Sequence, residues 1–156
     1  MLRTEINDAL KAAMKAKDQR ATATLRLILA ALKDRDIAAR GEGGEGAEDG
    51  GIGEDAILDM LQKMIKQRHD SIEQYKKGGR QDLVDQESEE IEIINRFLPK
   101  QMDEKEAAEA VDSVVDELGA TTIKDMGKVM GVLKERYAGR MDFSKTAKLA
   151  KARLGG

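Results

Sequence analysis

The sequence predicts an all-α protein, and three observations carry that prediction. Apolar residues recur at spacings of three and four along most of the chain. No stretch alternates apolar with polar residues for long enough to make a strand. The composition is that of a helical bundle: 37% of residues are charged, 3% are aromatic and Trp is absent. A core without large aromatics must use Leu, Ile, Val, Met and Ala, and Leu, Met and Ala are also strong helix formers. A chain of 156 residues can build one ordinary domain or two small ones.

A first helix is expected over residues 2 to 17, where Leu2, Ile6, Leu10 and Met14 repeat every four residues. The stretch MLRTEINDALKAAMKAKD is basic and amphipathic in the manner of a transit peptide, but Glu5, Asp8 and Asp18 are unusual there, so it reads as a mature helix. Asp18 is placed to cap a second helix reaching about residue 39, with Leu25, Ile28 or Leu29, Leu32 and Ile37 inward. The segment GEGGEGAEDGGIG follows; it holds seven of the fifteen glycines, shows no apolar face, and predicts a solvated loop over 41–53. A third helix over 54–77 places Ile57, Leu61, Met64 or Ile65, Arg68, Ile72 and Tyr75 on one side, and Gly78 and Gly79 end it. The fourth, from about Asp82 to Phe97, turns Leu83, Ile91, Ile94 and Leu98 inward and a dense acidic face outward.

Pro99 is the only proline, and it separates two expected domains, 1–98 with four helices and 99–156 with three. Asp103 and Glu106 have capping-box spacing and open a helix that Gly119 closes. Thr122 and Asp125 repeat that spacing before a helix expected from near Ile123 to Tyr137, stopped by Gly139, with Ile123, Met126, Met130 and Leu133 as its apolar stripe. A last helix, capped by Asp142 or Ser144, runs to Leu154. Gly127 and Gly131 stand out because each interior glycine costs a helix about 1 kcal/mol relative to alanine. Their spacing of four puts both on one face, where the expected compensation is close approach of another backbone, from a neighbouring helix or from a ligand.

Net charge is −3, unevenly distributed. Residues 41–55 carry −6, residues 81–98 carry −5 and residues 103–117 carry −6, whereas residues 118–156 hold nine Lys or Arg against three acids, a local charge of +6. The C-terminal end is therefore a basic pole. Cysteine is absent, which removes disulfides, thiolate metal sites and cysteine nucleophiles and fits a reducing compartment, the cytoplasm by default. The longest apolar run, Leu27 to Leu32, is too short to span a bilayer.

The segments NRFLPKQM and GATTIKDMGKVMGVLKERYAGRMD, with AMKAKD near residue 13, LRLILAALKDRDI from residue 25 and KQRHDSIEQYKKGGRQDL from residue 66, resemble the YqeY family over essentially the whole chain. The C-terminal part, chiefly KVMGVLKERYAGRMD and the helix after it, is also similar to the tail domain of the GatB subunit of tRNA-dependent amidotransferases. The resemblance implies a helical N-terminal domain joined to a GatB-tail-like three-helix domain. In GatB the tail helps hold the outer corner of tRNA, while ammonia release and transfer belong to other domains, so the family label of carbon-nitrogen ligase with glutamine as amido-N-donor is inherited through the tail. The chain departs from the usual pattern in its acidic Gly-rich insertion and in Met141, where a small residue is commoner.

The basic pole supplies the candidate tRNA-binding residues: Lys124, Gly127, Lys128, Gly131, Lys134, Arg136, Arg140, Lys145 and Lys148, with Lys151 continuing the last cluster. The competing reading is a solvated face whose lysines offset the acidic helix over 104–117. A third reading is a protein-interaction module in which the same pole docks an acidic partner. Stacking on single-stranded bases is disfavoured by four aromatics in all, Tyr75, Phe97, Tyr137 and Phe143, so folded RNA read through phosphates and 2′-hydroxyls suits the surface better. Catalysis finds little support. His69 is the only histidine, Glu87, Glu89, Glu90 and Glu92 read as a solvated acidic face, and the Gly-rich segment has four acids and no Gly-Lys-Ser/Thr. No catalytic residue, metal or cofactor is expected; the expected partners are tRNA or components of amidotransferase and aminoacyl-tRNA synthesis, and no membrane.

Overall fold

A computed structural model describes residues 1–41 and 51–155. Among these residues the secondary structure is helical throughout, with no strand. The chain divides into two compact units, Met1–Leu98 and Pro99–Gly156, and each has its own core.

The first unit contains α1 (Leu2–Lys15), α2 (Gln19–Gly41), α3 (Glu54–Lys77) and α4 (Gln81–Asn95). The turn between α1 and α2 is closed by Asp18 N–H donating to Ala13 O at 3.0 Å and Lys17 N–H donating to Met14 O at 3.2 Å. Lys17 takes the left-handed conformation this motif requires, with φ 56° and no glycine to ease it. The Asp18 carboxylate then accepts the Ala21 N–H at 3.0 Å, capping α2 as its position in the sequence predicts. The same two-bond closure ends α3, where Arg80 N–H donates to Tyr75 O and Gly79, at φ 71°, donates to Lys76 O.

The core of this unit is built on Ile6, Leu25, Ile28, Ile57, Met60, Leu61 and Ile94. Several inward assignments change. Met14 is 45% exposed and Ala13 is buried in its place, because four-residue steps advance about 40° each and carry Met14 about 120° away from Leu2. Ile37 is 54% exposed for a similar reason, lying opposite Ile28 on α2. Val84 and Ile93 join the buried set on α4, while Leu83 is half-buried. Most of the Gly-rich stretch expected as a loop lies outside the described residues, but its end does contribute to packing. Ile52 rests on the core, its N–H donates to Asp36 Oδ1 at 2.8 Å, and its carbonyl accepts from Arg3 at 2.9 Å.

The acidic face of α4 is also interrupted. Glu90, expected in solvent, is 7% exposed and accepts Arg68 Nε at 3.0 Å, while Arg68 also donates to Met64 O. Glu90 lies one turn before the fully buried Ile94 and hence on the core-facing side. Beside it, burial first and the Glu90 charge second raise the Glu87 carboxyl above its usual value.

The second unit contains α5 (Glu104–Leu118), a single 3₁₀ turn over Ile123–Asp125, α6 (Met126–Arg136) and α7 (Phe143–Gly155). Asp103 caps α5 by accepting Glu106 N–H at 2.7 Å, and Gly119 closes it at φ 62°. Val111, Val114, Val129, Leu133 and Ala150 fill the core. Met141 belongs to it as well, 2% exposed and accepting a contact from the Thr146 hydroxyl, so the departure from a small residue is a packing feature.

Arg68→Ala should lower stability by about 3 kcal/mol, since it strands a buried carboxylate. The double variant Arg68→Met with Glu90→Leu should recover most of that loss, and urea unfolding of the two variants checks both expectations.

Candidate nucleic-acid interface

The 3₁₀ turn before α6 is held by a complete capping box between Thr122 and Asp125. The Asp125 carboxylate accepts the N–H groups of Thr121 at 3.0 Å and Thr122 at 3.3 Å. These backbone donors, with a smaller contribution from the Lys128 charge, pull the Asp125 carboxyl below its usual value of 3.8. From this start α6 buries Val129 and Leu133, both fully, with Met126 and Met130 half-buried beside them. Ile123, expected to begin the apolar stripe, is 51% exposed, and its Cδ1 stands against Gly155 at the end of α7. The start of α6 is therefore beside the end of α7, and the two helices run antiparallel.

Burial of Val129 fixes where every other residue of α6 faces. At about 100° per residue, Gly127 and Gly131 lie about 160° and 200° from Val129, almost opposite the core. Lys134 lies at about 140° and Lys128 at about 260°, one on each side of the glycines. Lys124 sits in the turn just before. All five are exposed, and a Cβ added at either glycine would meet nothing within 4 Å. Of the two compensations expected for these glycines, a neighbouring helix of this unit is excluded. What remains is a bare strip of helical backbone open to solvent, where a partner can come about 3 Å closer than to a helix clothed in side chains. Amides in mid-helix are already bonded, so the strip offers proximity and the flanking lysines offer charge.

On α7 the exposed Lys145 and Lys148 lie about 220° and 160° from the buried Ala150, again opposite the core, with Lys151 on a flank. Among the described residues, no ion pair occupies Lys124, Lys128, Lys134, Lys145, Lys148 or Lys151.

The arginines behave differently. Arg136 forms a two-pronged pair with Glu117 of α5, at 3.1 Å and 2.6 Å, which lowers the Glu117 carboxyl below its usual value. Arg153 reaches Asp112 at 3.2 Å and Asp116 at 3.6 Å on the same helix. Arg140 donates to Lys100 O at 3.2 Å and lies 5.9 Å from the Tyr137 ring centre. Its own carbonyl accepts the Met102 N–H. Arg136 and Arg140 are thus engaged within the unit, and the acidic helix is offset by Arg136 and Arg153 where the sequence reading expected lysines. Reading the charges in blocks hid this division. Guanidinium geometry suits paired carboxylates, whereas lysine is a strongly hydrated point charge, and that contrast was the available signal.

Outside this face, His69 is exposed, and no group of three or more His, Asp or Glu is arranged to hold a metal among the described residues. No described helix is long and apolar enough to cross a membrane.

Gly127→Ala and Gly131→Ala should each stabilise the unit by up to about 1 kcal/mol, since the added methyls meet no neighbour. Thermal denaturation of each single variant measures this. Because the folded Asp125 carboxyl titrates below its unfolded value, its stabilisation is present above pH 3.8 and is lost as pH falls through the lower folded value. Amide exchange at Thr121 and Thr122 should accelerate over that acid range in the wild type, and Asp125→Asn should remove the dependence.

Comparison with known proteins places this geometry in context. The family model described as Yqey-like protein matches residues 3–154. A Lachancea thermotolerans protein called "Altered inheritance of mitochondria protein 41, mitochondrial" is 42% identical over 89 residues, covering 57% of this chain and 43% of that protein. Its namesake in Saccharomyces cerevisiae is 36% identical over 89 residues, with 57% and 44% covered. The Eremothecium gossypii protein of the same name is 36% identical over 115 residues, with 72% and 58% covered. The chain thus spans less than half the length of the first two relatives. With the family model matched across nearly all of its residues, the chain belongs to the YqeY family.

Proposed function

We propose that the C-terminal unit is a GatB-tail-like module that contacts tRNA, and that the chain is an accessory to tRNA handling with no reaction of its own. The observation that carries this reading is the solvent-facing strip at Gly127 and Gly131, bordered by Lys124, Lys128 and Lys134. Two helix-weakening residues with nothing of the fold against them are accounted for by a ligand that needs the space. A phosphate-ribose backbone bordered by lysines matches both the closeness and the charge.

The amidotransferase association follows from the tail resemblance, which supplies a setting and no nucleophile. The compartment in this reading is one that holds tRNA. A chain without cysteine fits the cytoplasm, whereas the relatives are named as mitochondrial proteins, and the reading extends to either location.

Titration of the full chain with tRNA at two salt concentrations tests the proposal. Affinity should fall with salt, and Lys124→Glu, Lys128→Glu, Lys134→Glu and Lys148→Glu combined should flatten the slope by about one for each lysine that reaches phosphate. The Gly→Ala variants should bind more weakly while folding more stably. Binding that survives both changes, or none at any salt, would leave the face to a protein partner. Ammonia release from glutamine by the purified chain should stay at background.

A further inference from the structure

The first unit carries a basic balance of its own, with nine Lys or Arg against five Asp or Glu over residues 1–40. Part of it lines one groove. On α1, Arg3, Asn7, Leu10 and Met14 fall within a sector of about 60°, and on α2, Arg26, Leu29, Lys33, Asp36 and Arg40 fall within about 80°. Both sets have the spacing of three and four that lines a seam between helices. The seams run antiparallel, because Arg3 pairs with Asp36 at one end, at 2.7 and 2.8 Å, while Arg26 Nη2 stands 3.7 Å from Met14 Sδ at the other. Around the Arg3–Asp36 end the helices leave a hollow of about 310 Å³ lined by Asn7, Leu29, Leu32, Lys33 and Ile37 among others. Leu10 and Leu29 are half-buried, and Met14 and Ile37 are exposed.

We propose that this α1–α2 groove docks an acidic amphipathic helix from a partner protein. The eleven residue steps from Arg3 to Met14 give the groove a length of about 17 Å, or three helical turns. A third helix laid along two antiparallel ones buries its apolar stripe on Leu10, Met14, Leu29 and Ile37. Its flanks then meet Arg26 and Lys33, and Asp36, the one carboxylate in these two sets among the described residues, is already held by Arg3 and the Ile52 N–H. Charge and apolar floor together select the occupant. Nucleic acid matches the cations and wastes the floor. A second copy docked through the same groove sets one cationic rim against another, since an isologous contact matches the same patch on both copies.

A synthetic helical peptide of about three turns, with Leu at the seam positions and Glu on both flanks, is the probe, read by fluorescence anisotropy against the full chain. Saturable binding is expected, weakened tenfold or more by Arg26→Glu with Lys33→Glu and by Ile37→Asp; these are exposed positions, and unchanged melting confirms the fold. The Arg26→Glu, Lys33→Glu protein should instead gain affinity for the peptide with Lys in place of Glu. Absence of saturable binding, equal binding of a scrambled peptide of the same composition, or failure of the charge swap overturns the proposal. So does loss of tRNA, of phosphatidylserine vesicles or of self-association, rather than of the peptide, in the groove variants. Lys124→Glu with Lys128→Glu should leave peptide binding unchanged, which separates failure here from failure of the tRNA reading.

Discussion

Burial of Val129 and Leu133 on a single line of α6 constrains much of what the second unit presents to its surroundings. Once those two side chains point into the core, a period of 3.6 residues leaves Gly127 and Gly131 no choice but to face solvent, and it sets Lys128 and Lys134 on either side of them. The capping box at Thr122 and Asp125 fixes where that helix begins, so it sets the register in which the burial occurs. Cap, core and surface strip are thus consequences of one alignment. A shift of one residue in either direction would bury a lysine instead, Lys128 or Lys134.

The unit distributes its positive charge by chemistry. Arg136 and Arg153 return to α5 and neutralise Glu117, Asp112 and Asp116, and Arg140 ties down the segment entering α5 through the Lys100 carbonyl. Exposed ion pairs of this kind contribute little to stability, on the order of 0 to 1 kcal/mol each. Their larger effect is electrostatic: they cancel the acidic helix locally and leave the α6 and α7 lysines as an uncompensated field. Such a field attracts a polyanion from a distance and is screened by salt.

Much of this was legible in the sequence, and the errors have a common physical origin. Helix ends were marked by residues whose chemistry is local, such as Asp18, Gly79, Asp103, Asp125 and Gly139, so boundaries followed from single positions. Facing was harder. A repeat of exactly four drifts around the helix, which is why Met14 was read as core and Ala13 was missed, and Ile37 lies five residues beyond Leu32, about 140° around the helix. In α6 and the turn before it, the large Ile123, Met126 and Met130 drew attention from the smaller Val129, which is fully buried. The pair of Arg68 and Glu90 was half visible: an arginine on the apolar side of a helix requires a buried carboxylate, yet six acids on α4 gave no means of choosing among them. Long-range pairing of that kind is a property of the packed helices. The α1–α2 groove was obscured for the same reason, since its cations and apolar residues alternate along each helix and become one surface only when two helices stand together.

The two surfaces differ in the physics by which each would hold a partner. The α6 strip has charge and closeness but almost no apolar area, so what it binds must be polar, highly charged and thin enough to use the gap left by two missing side chains. The α1–α2 groove has half-buried leucines under a cationic rim, so its occupant must bring apolar area to gain from the floor, and charge alone would leave that floor wet. A ligand ideal for one is therefore poor for the other. Association at the strip should be dominated by released counterions, whereas association in the groove should also bear the negative heat-capacity change of apolar burial. That difference in thermodynamic character, rooted in which side chains the helical period turns outward, is what would let one small helical chain address the two chemically distinct partners proposed for it.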